Sequence, residues 1–298
     1  MATATIGSLK VPGAKLHYEV RGSGPLLLMI PGGPADADVF AGIAPLLSDR
    51  YTVVTYDPRG NSRSELDGPP DDLRAAVHAD DASRLLTAFT REPTYVFGSS
   101  GGAVVGLALA VEHPEQVRTL IAHEPPVTEL LPEREHNRAV WQDIHETYRR
   151  EGTGPAMARF LASAGLNGRQ PAPEHPTDPE AQAAMGRMMR NIELFVAHGG
   201  GEPFMPDLPR YARVPRESWS PAARTRTARP PTPRRVALAE RLGTHIQEFP
   251  GDHGGFIAQP DRVRGALARG TRNGVTCQLS GRFGGRRAHR RRPAGVRE

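Results

Sequence analysis

Two short stretches carry the residue types for nucleophilic chemistry: Gly98-Ser99-Ser100-Gly101-Gly102 and, far along the chain, Pro250-Gly251-Asp252-His253-Gly254-Gly255-Phe256. Ser100 is the central residue of a G-x-S-x-G motif. Before it, Tyr95 to Phe97 is a short run of β-branched and aromatic residues. After it, Val104, Leu107 and Val111 recur at helical spacing. A strand that turns at once into a helix holds its central residue in a strained conformation and tolerates only small neighbours. The turn lifts the hydroxyl clear of the sheet edge and aims the unpaired N–H groups of the helix N-terminus at whatever that oxygen attacks. A lone G-x-S-x-G in a glycine-rich chain is a weak signal, but its place between a strand and a helix is the confirming setting, so Ser100 is read as a nucleophile. A serine needs a base, and a loop histidine at a strand end supplies one. His253 has that position. His17 reads as a strand residue, His113 as the end of the elbow helix, and His136, His145 and His175 as positions in a helical insertion or linker.

The elements that must hold these residues follow in order. Residues 5–10 and 15–20 alternate in polarity around Pro12-Gly13 and predict a hairpin. Continuous apolar runs at Pro25–Ile30 and Tyr51–Tyr56 predict buried strands, the first ending in Pro31-Gly32-Gly33-Pro34 and the second in Asp57-Pro58-Arg59-Gly60. Asp36 and Asp38 are candidate caps for a helix running through Leu47, and a further helix is expected from about Asp80 to Phe89. Val117–Ala122 predicts the strand after the elbow helix, closed by His123-Glu124-Pro125-Pro126. Strands alternating with helices imply an α/β fold with a parallel sheet whose ligands bind beyond the carboxyl ends of the strands, where both glycine-rich corners and the elbow fall.

From Val127 to about Phe204 the pattern is helical only, over Glu133–Arg150, Pro155–Ala164 and Pro179–His198. This predicts a helical cap at 127–204, inserted into a core of 1–126 and 236–261. Trp141, Ile144, Tyr148, Met185, Met188, Met189, Ile192 and Phe195 are expected to form mainly the cap's own core, with some facing the pocket. Sheet character returns at Thr244–Phe249, after a helical Val236–Leu242.

The net charge of +5 is concentrated in two tracts: 210–235 holds eight Arg and one Glu, and 262–298 holds eleven Arg and one Glu. The remainder is acidic. Residues 262–298 are read as a basic, disordered tail. Arg286, Arg287, Arg290, Arg291 and Arg292 could bind phosphates, but only Phe283 is nearby as a stacking platform, which argues against nucleic acid as a partner. No apolar run approaches the length of about eighteen residues needed to span a bilayer, and the N-terminal residues lack a signal-peptide pattern, so a cytoplasmic protein with no membrane partner is expected. The single Cys277 excludes an internal disulfide framework, and no zinc-ligand spacing is present. No cofactor is expected. The oligomeric state is left open.

Taken in order, GSSGG around Ser100, PGGP at 31–34, YDPRGNSRS at 56–64 and GDHGGF at 251–256 resemble the α/β-hydrolase superfamily over about Thr5 to Pro260. The resemblance implies an α/β-hydrolase fold, a mostly parallel central sheet with helices on both faces and a helical cap. It also implies a nucleophile at Ser100, a base at His253, and an oxyanion hole made by the backbone N–H groups of Gly33 and Gly101. Many relatives carry His where this chain has Pro31; because the donors are backbone groups, the hole is expected to survive. Asp57 and Arg59 are expected to brace their corner rather than do chemistry.

A triad also needs a carboxylate to orient the histidine, and the superfamily usually places it after the seventh strand. Residues 205–235 form an Arg/Pro-rich irregular segment, and the five prolines of 210–235 nearly exclude a central strand there. The tract reads as a reading-frame error or a genuine frameshift in GC-rich coding sequence. Shifted through the Val214–Pro215 codons, with CGN for Arg and TCN for Ser, it allows two small residues, Arg or Gly, then Ile/Val, Leu/Val/Met and Val, then a small residue, two positions able to be Gly, another small residue and a position limited to Asp, Asn, His or Tyr. The tail allows a comparable reading from Val263. In the frame as it stands, Glu124, just past the sixth strand, is the best substitute acid, while Asp252 adjoins His253 and is expected to point away from its ring.

These residues predict a carboxylesterase-like serine hydrolase that cleaves an ester, or less readily an amide, of a small organic substrate through an acyl-enzyme. A non-catalytic or inactive binding protein on the same fold is the rival suggested by the missing acid. Proline iminopeptidases and cofactor-free haloperoxidases resemble the first two corners.

Overall fold

The computed structural model describes residues 3–130, 132–166, 178–200, 204–205, 207, 245–251, 253–270 and 276–281. The hairpin forms as β1 (Thr5–Val11) and β2 (Ala14–Arg21), paired antiparallel. The two apolar runs become β3 (Leu26–Ile30) and β4 (Thr52–Tyr56), and β5 (Glu65–Leu66) pairs with β2. The elbow joins β6 (Thr94–Ser99) to a helix and leads on to β7 (Val117–His123). Two late strands, β8 (His245–Pro250) and β9 (Thr276–Gly281), complete a sheet of order β1-β2-β4-β3-β6-β7-β9-β8. Every pairing from β4 to β8 along this order is parallel.

The central strands β3, β4, β6 and β7 are buried nearly throughout because both faces are covered. Leu28, Ile30, Val54, Tyr56, Val96 and Leu120 point to one side, onto α2 (Ala75–Phe89) and α3 (Gly101–Glu112). Leu27, Met29, Val53, Phe97 and Ile121 point to the other. They pack on Phe40, on α1 (Ala44–Leu47), and on α7 (Gly255–Ala258) and α8 (Pro260–Gly270). From β3 the chain moves outward to β4 and then crosses back to β6, so the strand order reverses beside β3. In open α/β sheets such a switch point opens a crevice at the carboxyl ends. Here it sets Pro31-Gly32-Gly33 alongside Ser99-Ser100-Gly101, since Ile30 pairs with Gly98.

The close crossing of α3 over β3 requires glycine. A methyl group at Gly102 would lie 2.2 Å from the Ile30 carbonyl oxygen and 2.5 Å from that of Pro31. Both obstacles are backbone, so the helix must shift. Gly102→Ala is therefore expected to cost about 3 kcal/mol, the upper end of the range for overpacking a close-packed interior, measured by urea unfolding. A cost below about 0.5 kcal/mol would show that the crossing has slack.

Three helices lie between β7 and β8: α4 (Arg134–Glu151), α5 (Thr153–Ser163) and α6 (Pro179–His198). Ile144, Ala156 and Val196 are their buried centre, with Trp141, Tyr148, Phe160 and Phe195 packed around it. Met188 and Met189, expected inside, are 39% and 53% exposed. The inward face of α6 carries the fully buried Asn191 instead, a polar residue that displaces the phase of an apolar-only pattern. The helix expected after Asp38 is a 3-10 turn over Ala37–Phe40 followed by the single turn of α1, because Gly42 and Pro45 interrupt it.

The tail expected from residue 262 is corrected in part. α8 runs to Gly270 and buries Val263, Ala266 and Leu267, an i, i+3, i+4 stripe that the Arg-rich composition hides. β9 lies between β7 and β8 in the sheet, parallel to both. Residues 208–244, 271–275 and 282–298 lie outside the described residues, and with them the frameshift reading, the Val236–Leu242 helix and the Arg286–Arg292 cluster. Among the described residues, no helix is long and apolar enough to cross a membrane.

Candidate active site

Ser100 stands between β6 and α3 with φ 53° and ψ −120°, a region that L-residues avoid. Such strain costs on the order of 1–3 kcal/mol and persists only where the surroundings over-determine it. They do: the Ser100 N–H donates to the His123 carbonyl at 2.8 Å, and its own carbonyl accepts from Ala103 N at 2.9 Å. Ser100 is partly exposed, at the head of α3.

The PGGP corner reaches the elbow closely. A methyl at Gly32 would lie 2.2 Å from the Ser99 carbonyl oxygen and 2.9 Å from both Gly101 N and Ser100 Cβ. A methyl at Gly101 would lie 3.3 Å from Gly33 N. The backbones of Gly33 and Gly101 thus lie close together beside Ser100. Gly33 adopts φ 58°, and Phe195 Cζ of α6 stands 4.0 Å from where its methyl would be, so an aromatic ring roofs this corner.

Glu124 and His253 meet. Glu124 Oε2 lies 2.5 Å from His253 Nδ1, with the side chains 17% and 31% exposed. Glu124 has φ 50°, a left-handed bend directly after β7 and before Pro125-Pro126. His253 follows β8, whose sole sheet neighbour among the described strands is β9. Asp252 lies outside the described residues. His123, the last residue of β7, adds to the group: its Nδ1 is 3.0 Å from Ser99 Oγ, and its ring stacks on those of Phe97 and His253.

The bracing expected of Asp57 and Arg59 takes a different form, for the two serve separate partners. Arg59 grips the buried Asp81 of α2 through Nε and Nη2 at 2.7 and 2.6 Å. The fully buried Asp57 accepts from Ala37 N–H and from the Arg63 backbone, Nε and Nη2. Burial by itself would raise the Asp57 carboxyl, but the Arg63 guanidinium and the two backbone donors outweigh it and hold the group below the ordinary carboxylate range. A depressed pKa means stability that is present above the unfolded value of about 3.9 and lost as pH falls through the folded one. Asp57→Asn is accordingly expected to cost about 1–3 kcal/mol at pH 7, by removing the buried carboxylate that Arg63 holds through Nε and Nη2 and leaving Arg63 only Glu19 and Asp38 as ionic partners. The gap from wild type should narrow below about pH 4. Urea unfolding at pH 7 and pH 3 checks this; an unchanged gap would detach the effect from ionisation.

A second polar cluster joins α6 to the core. Asn191 Oδ1 accepts from Ser62 N at 2.7 Å, and Asn191 Nδ2 donates to Ser62 Oγ at 2.9 Å. Ser62 Oγ in turn donates to Asp36 Oδ2 at 2.5 Å. Burial raises the Asp36 carboxyl, and the neighbouring Asp38 and Asp57 add to the rise against the opposing Ser62 bond. No local pattern announces this contact, since 129 residues separate its ends. Among the described residues, no cluster of three or more His, Cys, Asp or Glu is placed to hold a metal ion.

Residues 25–202 match the family model described as alpha/beta hydrolase fold. The chain is 39% identical over 264 residues to the uncharacterized hydrolase YraK of Bacillus subtilis (strain 168), covering 85% of this chain and 91% of that one. It is 26% identical over 265 residues to the zearalenone hydrolase of Bionectria ochroleuca, covering 84% and 90%. Among solved structures, an alpha/beta hydrolase from Sphaerobacter thermophilus DSM 20745 superposes with a TM-score of 0.53 at 18% identity, covering 95% of this chain and 94% of that one.

Proposed function

Since this chain belongs to the α/β hydrolase family, we propose that it is a serine hydrolase cleaving a carboxylic ester of a small organic acid through an acyl-enzyme. The observation that carries the reading is the Glu124–His253 contact of 2.5 Å in a chain whose sequence offers no acid at the usual strand. A carboxylate on Nδ1 fixes the tautomer of the ring and stabilises the imidazolium, leaving Nε2 for the serine. Ser100 Oγ attacks the carbonyl carbon while His253 Nε2 takes its proton. The N–H groups of Gly33 and Gly101 hold the resulting oxyanion. Collapse expels the alcohol, which takes the proton back from His253. Water, deprotonated by the same nitrogen, then cleaves the acyl-serine and releases the acid. Phe195 over Gly33 favours a short or flat acyl group. The same contact supports catalysis over a binding protein that lacks an acid.

A fluorophosphonate probe should label wild-type protein at Ser100, and a panel of p-nitrophenyl esters of graded length should show turnover falling with chain length. A folded protein that takes no probe would sink the serine reading, and turnover rising with length would sink the assignment to small acids.

A further inference from the structure

His123 is engaged on every side of the proposed machinery without belonging to it. It is 1% exposed. Its carbonyl accepts the Ser100 N–H, its chain neighbour is Glu124, and its Nδ1 is 3.0 Å from the buried Ser99 hydroxyl. Its ring lies between Phe97, at 6.0 Å and 29°, and His253, at 6.1 Å and 28°, while Phe256 meets it edge-on at 5.7 Å. The centroid separations fall in the range for offset-stacked rings, about 4.5–7 Å. A hydrogen bond to Glu124 fixes one atom of the His253 ring but leaves rotation about that contact. An offset ring tilted by only 28° beside it restricts that freedom.

We propose that His123 is a positioning residue: its ring, anchored by Ser99 and backed by Phe97, sets the plane of the His253 imidazole so that Nε2 is aimed at Ser100. The inference rests on the roles proposed above for Ser100 and His253. It differs from ordinary core packing in what it requires, because an aromatic face is needed rather than bulk. Misplacing a reacting group by about 1 Å costs roughly a hundredfold in rate. A ring free to tilt should therefore lower turnover without weakening substrate binding.

The test compares His123→Phe, His123→Leu and His123→Ala as full-length proteins on a p-nitrophenyl ester. Phe keeps the stack and loses the Ser99 bond, and kcat should stay within about threefold of wild type. Leu keeps the bulk and loses the face; Ala loses both. Each should lower kcat by about ten- to a hundredfold with KM within about twofold. Side-chain ¹⁵N–¹H spectra of His253 read the ring directly, sharp in wild type and Phe, broadened in Leu and Ala. Wild-type kcat in a folded Leu variant would overturn the proposal, and so would a Phe variant as impaired as Leu, which would hand the role to the Ser99 bond. Failure of wild type to take a fluorophosphonate would instead remove the serine reading, while the spectra still decide whether His123 immobilises the neighbouring ring.

Discussion

Ser100→Ala is expected to leave a folded protein whose kcat for ester hydrolysis has dropped by about 10⁴-fold or more, the scale on which serine hydrolases respond to loss of the nucleophile. What remains should come from the oxyanion donors and from substrate binding. The effect is large because the adjacent hydroxyl cannot replace it: Ser99 precedes the bend, is 4% exposed, and is occupied with His123. The substitution also removes the Oγ while keeping the Cβ that the positive-φ turn must accommodate, so the strain at φ 53° is unchanged and stability should move by less than about 1 kcal/mol. Measuring kcat, probe labelling and the urea midpoint on the same preparations separates chemistry from folding. Residual turnover above about one part in a hundred would place the nucleophile elsewhere.

Glu124→Gln should be nearly as severe, about 10³–10⁴-fold in kcat with KM little changed. Gln is close to isosteric, so the contact with His253 Nδ1 survives in shape. It carries no charge to stabilise an imidazolium and can hold the ring in the wrong tautomer. Glu124→Asp keeps the charge but shortens the reach, and is expected to fall between the two. This pair of variants tests the least conventional feature of the site, an orienting acid on the strand next to the elbow. If Glu124→Gln kept more than about a tenth of wild-type kcat, the acid would have to come from another part of the chain.

Local backbone geometry was well written in the sequence. The bend at Ser100 is coded partly by adjacent residues, since a methyl at Gly98 would lie 2.3 Å from the Gly102 carbonyl oxygen and Ser100 takes the strained turn between them, and partly by the distant Ile30 carbonyl, 2.2 Å from any methyl added at Gly102. The buried strands Leu26–Ile30 and Thr52–Tyr56 were equally legible, since sheets covered on both faces need continuous apolar runs. The order PGGP, elbow, GDHGGF follows from where parallel strands end. Glu124 was legible only as a candidate, because its reach to His253 depends on how far apart β7 and β8 are held.

That spacing belongs to the tertiary structure. Residues 276–281, within an Arg-rich stretch read as tail, insert as β9 between β7 and β8, a slot decided by backbone hydrogen bonding that side-chain composition does not announce. Likewise Asn191 and Ser62 look like ordinary polar residues until packing buries them against each other across 129 positions. Periodicity placed Met188 and Met189 inside, yet the phase of α6 was set by that buried amide. The amino-acid sequence by itself determined the bend at Ser100 and the buried central strands, because each is largely a matter of sterics and hydrophobicity over a few adjacent residues. Folding alone decided which carboxylate stands at His253 and which ring lies behind it, because those are distances between strands far apart in the chain.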